Sequence, residues 1–149
     1  MPGTLRGFYE YRHEAKLGKK GQPLKATETF PYRVGLKDSE VFYMAAIWQP
    51  WTDAETGEYV ESMAIVTTAS NSLMSQIHNV KKRMPTVLTE DLAWEWLFGD
   101  LNEKRITEIA TFQIPSSAME AYTIDKQFRT AEDPLVPCEY PLLPALVFE

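Results

Sequence analysis

Residues 63–78, Met63-Ala64-Ile65-Val66-Thr67-Thr68-Ala69-Ser70-Asn71-Ser72-Leu73-Met74-Ser75-Gln76-Ile77-His78, change their period halfway along. The first half is rich in β-branched side chains and predicts a strand over Met63–Thr68. Ser70 or Asn71 then offers a side-chain oxygen that can cap a helix. Leu73, Met74 and Ile77 follow at the spacing of a single helical face, so the helix is expected to run to about His78. A strand that hands over directly to a short capped helix indicates a mixed domain.

The flanking segments extend this picture. Upstream, Phe30–Leu36 and Val41–Gln49 carry aromatic and β-branched residues around Lys37-Asp38-Ser39-Glu40, the pattern of a hairpin. Thr52-Asp53-Ala54-Glu55-Thr56-Gly57 reads as a second turn. Residues 13–29 are polar, rich in Gly and Lys and contain Pro23, which predicts a long surface loop. Downstream, Pro85–Leu88 predicts a short strand, and Thr89 caps a helix over Glu90–Phe98 with Gly99 just past its end. Trp94 and Trp96 cannot share a face of that helix, so one is expected inside and the other partly exposed. A third helix is expected from Asn102 to about Ala110, with Ile106, Ile109 and Ala110 inward. One helical turn within 116–121 precedes a last extended segment, and a tail holding Pro134, Pro137, Pro141 and Pro144 is expected to drape irregularly over the body. Antiparallel strands with segregated helices define an α+β domain.

A chain of 149 residues fits one domain, residues 1–149, with no repeat or linker. No apolar run approaches a membrane span and no signal-peptide core is present, so a cytoplasmic location is the expectation. The net charge of −6 argues against a general nucleic-acid coat protein, but not against a local basic groove. The single cysteine, Cys138, sits beside Glu139 and far in sequence from any base, which fits an inert thiol better than a nucleophile. No cysteine cluster or His-Glu spacing suits a metal, and no glycine-rich phosphate loop is found. Neither metal nor cofactor is expected.

Few residues remain that can carry chemistry. Glu10 lies in Gly7-Phe8-Tyr9-Glu10-Tyr11, where strand alternation puts Phe8 and Glu10 on one face and the two tyrosines on the other. A carboxylate in aromatic surroundings can serve as a general acid or base. The bland alternative is a solvated edge glutamate. His78 near a helix end can face a groove, or can simply be a surface or cap histidine. Thr67, Thr68 and Asn71 supply uncharged hydrogen-bonding groups, as caps or as phosphate contacts at a helix N-terminus. Lys81, Lys82 and Arg83 directly follow His78 and form a basic run, evenly balanced between a binding patch and a solvated turn. Arg12, Lys16, Lys19, Lys20 and Lys25 fit solvated charges better. Trp48 and Trp51, flanking Pro50, suit core or rim packing and can also stack on unpaired bases.

Three of these stretches, in order, resemble the SRAP family of "SOS response-associated peptidase" proteins: Gly7-Phe8-Tyr9-Glu10, the run Thr67-Thr68-Ala69-Ser70-Asn71, and Ile77-His78 leading into Arg83-Met84-Pro85. Asp133-Pro134-Leu135-Val136-Pro137 is similar to the family's closing segment. The resemblance implies a strongly curved, barrel-like antiparallel sheet with about three short helices. It also implies action on abasic sites in single-stranded DNA. In the family an N-terminal cysteine condenses with the open sugar aldehyde to give a thiazolidine crosslink. By resemblance, Glu10 would assist proton transfer in Schiff-base formation, His78 would assist ring opening, and Thr67 would line the pocket. Asn71, Lys81, Lys82 and Arg83 would contact DNA. The family label further implies an autocatalytic peptidase.

Two departures accompany the resemblance. Tyr11 stands where the family has tryptophan, and position 2 is Pro2, so the segment bearing the nucleophile is missing. Relative to the family the chain is thus expected to be N-terminally truncated. Three functions stay open: an abasic-site processing protein, a non-covalent single-strand binder, and a fragment whose motif residues serve packing. Glu10, Thr67 and His78 are expected to meet in one groove with Arg83 at its rim. A missing segment is expected to leave a sheet edge open to self-association.

Overall fold

The computed structural model describes residues 6–148; Pro2 lies outside the described residues. Nine strands and three helices follow in the order β1 (Phe8–Leu17), β2 (Pro23–Leu36), β3 (Tyr43–Met44), β4 (Ala46–Thr52), β5 (Tyr59–Ile65), β6 (Thr67–Ala69), α1 (Ser72–Ile77), β7 (Arg83–Pro85), β8 (Val87–Leu88), α2 (Glu90–Phe98), α3 (Glu103–Ala110) and β9 (Met119–Thr123). Single turns of 3-10 helix occur at Ser116–Ala118 and Phe128–Thr130. All strand pairings are antiparallel, and the class is α+β.

The helices form where local signals placed them. Asn71, Thr89 and Asn102 are the N-caps, and each accepts a hydrogen bond from the backbone three residues on. Trp96 is half-buried and donates to the Ala46 carbonyl at 3.0 Å, while Trp94 is exposed. Ile109 is buried, but Ile106 points outward. Arg105 of α3 grips Glu95 of α2 through two bonds of 2.6 and 2.7 Å, and this guanidinium holds the Glu95 carboxyl below the usual carboxylate range.

The strands depart from expectation in three respects. First, residues 13–29 are not a loop: β1 and β2 pair from Phe8↔Val34 out to Leu17↔Pro23, around a turn in which Gly21 takes φ +77°. Charged and threonine side chains suit the solvated faces of a two-stranded ribbon, and cross-strand pairing outweighs their weak local preference. Second, β2 does not form a hairpin with the segment after it. Its other partner is β9, through Tyr32↔Thr123 to Leu36↔Met119.

Third, no closed barrel or strongly curved sheet forms among the described residues. The strands make a three-stranded sheet, β1-β2-β9, and three two-stranded ladders, β3-β8, β4-β5 and β6-β7. The interruptions fall at Ala45, Val66 and Thr86, where three backbone bonds of 2.9 Å close a ring. Ala45 N–H donates to Thr86, Thr86 N–H to Val66, and Val66 N–H to Ala45. At each of these residues the chain turns from one partner to the next, so no ladder continues far enough to curl. Ala45 and Thr86 are fully buried, and the Thr86 hydroxyl donates to the Ala110 carbonyl at 2.8 Å.

The main core joins Phe30, Tyr32 and Val34 of β2 to Leu73, Met74 and Ile77 of α1, with Met84 and Met119. This packing anchors α1 against the sheet that carries Glu10. The tail is largely irregular and closes over the core through Tyr140, Leu143 and Leu146. Burial and the neighbouring Cys138 push the Tyr140 phenol up to about 12. Cys138 itself is half-buried. Among the described residues no helix is long and apolar enough to cross a membrane.

Candidate functional site

The site begins with α1. The Asn71 carboxamide oxygen accepts from Met74 N–H at 2.9 Å, and its Nδ2 donates to the Ile114 carbonyl at 2.8 Å and lies 3.2 Å from the Met119 sulfur. Both polar ends of this side chain are therefore engaged within the fold. Asn71→Ala removes the cap and leaves the Ile114 carbonyl without its donor. A loss of about 2–3 kcal/mol is expected, or roughly 5–10 °C in the thermal midpoint. An unchanged melt would show that this amide does not hold the helix.

Seven residues later the helix delivers His78 at its C-cap. The turn that follows is closed by Lys82 N–H donating to the His78 carbonyl at 2.9 Å and by Ser70 N–H donating to the Lys82 carbonyl at 3.0 Å. Lys82 takes φ 49°, the only non-glycine with positive φ among the described residues. Left-handed backbone at a lysine is unfavourable by roughly 1 kcal/mol, and such positions gather at functional sites.

The His78 ring is oriented by this turn. Its Nδ1 lies 2.8 Å from the Arg83 carbonyl oxygen, which can only accept, so Nδ1 carries a proton. In the neutral ring the lone pair is then on Nε2, the nitrogen left to meet a substrate proton. The same Nδ1 lies 3.9 Å from Oε2 of Glu10, and the two side chains are 20% and 21% exposed. Glu10 Oε1 accepts from Tyr11 N–H at 2.9 Å, which keeps the carboxylate folded over the edge of β1. As alternation predicts, Phe8 packs on Phe42, while Tyr9 and Tyr11 face the other way, against Phe128 and Arg129.

Glu10 and His78 are thus brought together across 68 residues of sequence, at a half-buried place with reach to solvent. Thr67 lies on β6 opposite Pro85, and Ala69 opposite Arg83, so Thr67 and Arg83 share the exposed face of one short ladder. Thr68 points inward and donates to the Thr111 carbonyl at 3.2 Å. Lys81, Lys82 and Arg83 are all exposed, and among the described residues none forms an ion pair. Trp48 and Trp51 project from opposite faces of the β4–β5 hairpin, 61% and 53% exposed. A surface cavity of about 440 Å³ lies between the β1–β2 ribbon and the tail, lined by residues such as Lys16, Phe30 and Leu142, and neither Glu10 nor His78 borders it. Sequence reasoning assigned no part to Asn79. Its partner is His13, inside the segment expected to be a loop.

Comparison with known proteins identifies the family and supports the α+β fold. The model of the family described as SOS response associated peptidase (SRAP) matches residues 4–131. The chain is 32% identical over 117 residues to the abasic site processing protein YoqW of Bacillus subtilis, covering 78% of this chain and 46% of that protein. It is 35% identical over 104 residues to the abasic site processing protein YedK of Escherichia coli, covering 70% of this chain and 40% of that one. The chain therefore spans about half the length of the curated relatives it matches. A crystal structure of a Bacteroides thetaiotaomicron protein shares the fold with a TM-score of 0.71 at 34% identity, over 89% of this chain and 51% of that chain. With the family model covering most of its length, the chain belongs to the SRAP family.

Proposed function

We propose that this chain acts on abasic sites in single-stranded DNA, with Glu10 and His78 as its acid–base pair. The observation that carries the proposal is the approach of His78 to Glu10 beside an exposed basic turn. An abasic deoxyribose is mainly a closed hemiacetal. To open it, a base takes the proton from the C1′ hydroxyl, the C1′–O4′ bond breaks, and a proton is delivered to O4′, leaving an aldehyde. His78 Nε2 suits the proton transfers, and the Glu10 carboxylate favours the imidazolium formed in passing. Lys81, Lys82 and Arg83 meet the backbone phosphates, and Thr67 lines the exposed ladder next to them. Asn71 serves by capping the helix that carries His78.

The crosslinking step is a separate matter. A thiazolidine needs an amine and a thiol on one N-terminal residue. Cys138 is internal and offers only the thiol. The residues present support opening and recognition of the sugar, and the family's covalent step needs a nucleophile beyond them. The exposed basic turn also favours a second function, plain single-strand binding without discrimination of the lesion.

Titrating the protein with a single strand carrying one abasic site, and with the intact strand, separates the two. The wild type is expected to favour the abasic strand, and Glu10→Gln or His78→Ala to reduce that preference by about tenfold while intact-strand affinity holds. Equal affinity of the wild type for both strands would leave only the second function.

A further inference from the structure

We propose that Asn79 is a positioning residue whose carboxamide, paired with both backbone polar groups of His13, holds the His78 ring against Glu10. β1 is the edge strand of its sheet. Residues of an edge strand alternate, one turning its N–H and C=O toward the neighbouring strand and the next turning them outward. Tyr11 and His13 are outward residues. Tyr11 N–H donates to Glu10 Oε1 at 2.9 Å. His13 N–H donates to Asn79 Oδ1 at 3.0 Å, and the His13 carbonyl accepts from Asn79 Nδ2 at 2.7 Å. The carboxamide reproduces a two-bond ladder rung where, among the described residues, no strand lies.

This rung sits one outward position, about 7 Å along the edge, from the one that Glu10 folds over. Asn79 is also covalently next to His78. The bond from Nδ1 to the Arg83 carbonyl sets how the ring is rotated within its own turn, but it does not tie that turn to β1. Among the described residues the two hydrogen bonds that do so are those of Asn79. Within the docking of α1 on the sheet, this side chain is therefore the polar tie that fixes the separation of the acid–base pair. The proposal rests on that pair being the working part of the site, and its test does not.

The test is the nuclear Overhauser cross-peak between the Glu10 side-chain protons and the His78 ring protons, recorded with the long-range ring-nitrogen spectrum that reports the tautomer. The wild type should show the cross-peak and the proton on Nδ1. Asn79→Ala should lose the cross-peak and keep the tautomer, because the turn survives but is no longer held to β1. An undiminished cross-peak overturns the proposal. So does loss of both signals, since the turn would then have melted and Asn79 would be merely structural. Asn79→Ser, too short to reach both backbone groups, serves with the same outcomes if the alanine variant does not fold. If the wild type shows no preference for abasic strands, the proposed function fails while this spectrum still decides the role of Asn79.

Discussion

Reversing the basic turn with Lys81→Glu, Lys82→Glu and Arg83→Glu together is expected to weaken single-stranded DNA binding about a hundredfold or more at low salt. None of the three has an ion-pair partner among the described residues, so their charge is free for phosphates. In a chain of net charge −6 they form a local exception, and reversal doubles the overall charge. The salt dependence should flatten as well, since three lost phosphate contacts remove about two from the slope of log K against log salt. Stability should shift little, as the side chains are exposed. Fluorescence anisotropy across a salt series measures both quantities. Unchanged affinity would assign the cluster to solvent.

The second large effect is expected in association state. The β4–β5 hairpin touches water on both faces: Ile47, Trp48, Trp51, Tyr59, Met63 and Ile65 are between 48% and 69% exposed. A lone two-stranded hairpin is marginal in water, and so many exposed large apolar side chains on one hairpin are unusual for a monomer. Pro50 lacks an N–H and must turn its nitrogen away from β5, which blunts the outer edge of β4. Among the described residues no strand pairs with the outer edge of β5, which leaves it available to another strand. Copies of the chain are expected to associate there. Trp48 lies directly opposite Met63, so Trp48→Lys with Met63→Lys places two like charges across one rung of the patch. Sedimentation velocity should show the wild type as dimer or larger and the double variant as monomer. A monomeric wild type would refute the inference.

What could be read from the sequence follows the range of the forces involved. Asn71, Thr89 and Asn102 cap their helices through neighbours three residues away, so a local pattern sufficed. The ribbon of residues 13–29 hid behind its lysines and glycines, because what makes it a strand is the partner across the turn. The choice of β9 by β2 is set by packing between distant segments, and no spacing announces it. At the site, Glu10 and His78 were singled out by resemblance, and their closeness depends on α1 docking beneath β2. Asn79 escaped notice because its partner is a backbone, which carries no residue identity. Asn71 was read both as a cap and as a DNA contact; the cap forms, and the other end of its amide is engaged inside the fold.

The ring of Ala45, Val66 and Thr86 bears on how the molecule transmits force. Each residue in it donates to one member and accepts from another, so none can let go without breaking two of the three bonds. Val66 links β5 to β6, Thr86 links β7 to β8, and Ala45 links β3 to β4. A partner that seized the β4–β5 hairpin and tilted it would therefore pull, through this triangular clasp, on the very ladder that carries Thr67 and Arg83. The apolar hairpin and the ladder that carries the basic turn are thus joined through backbone bonds.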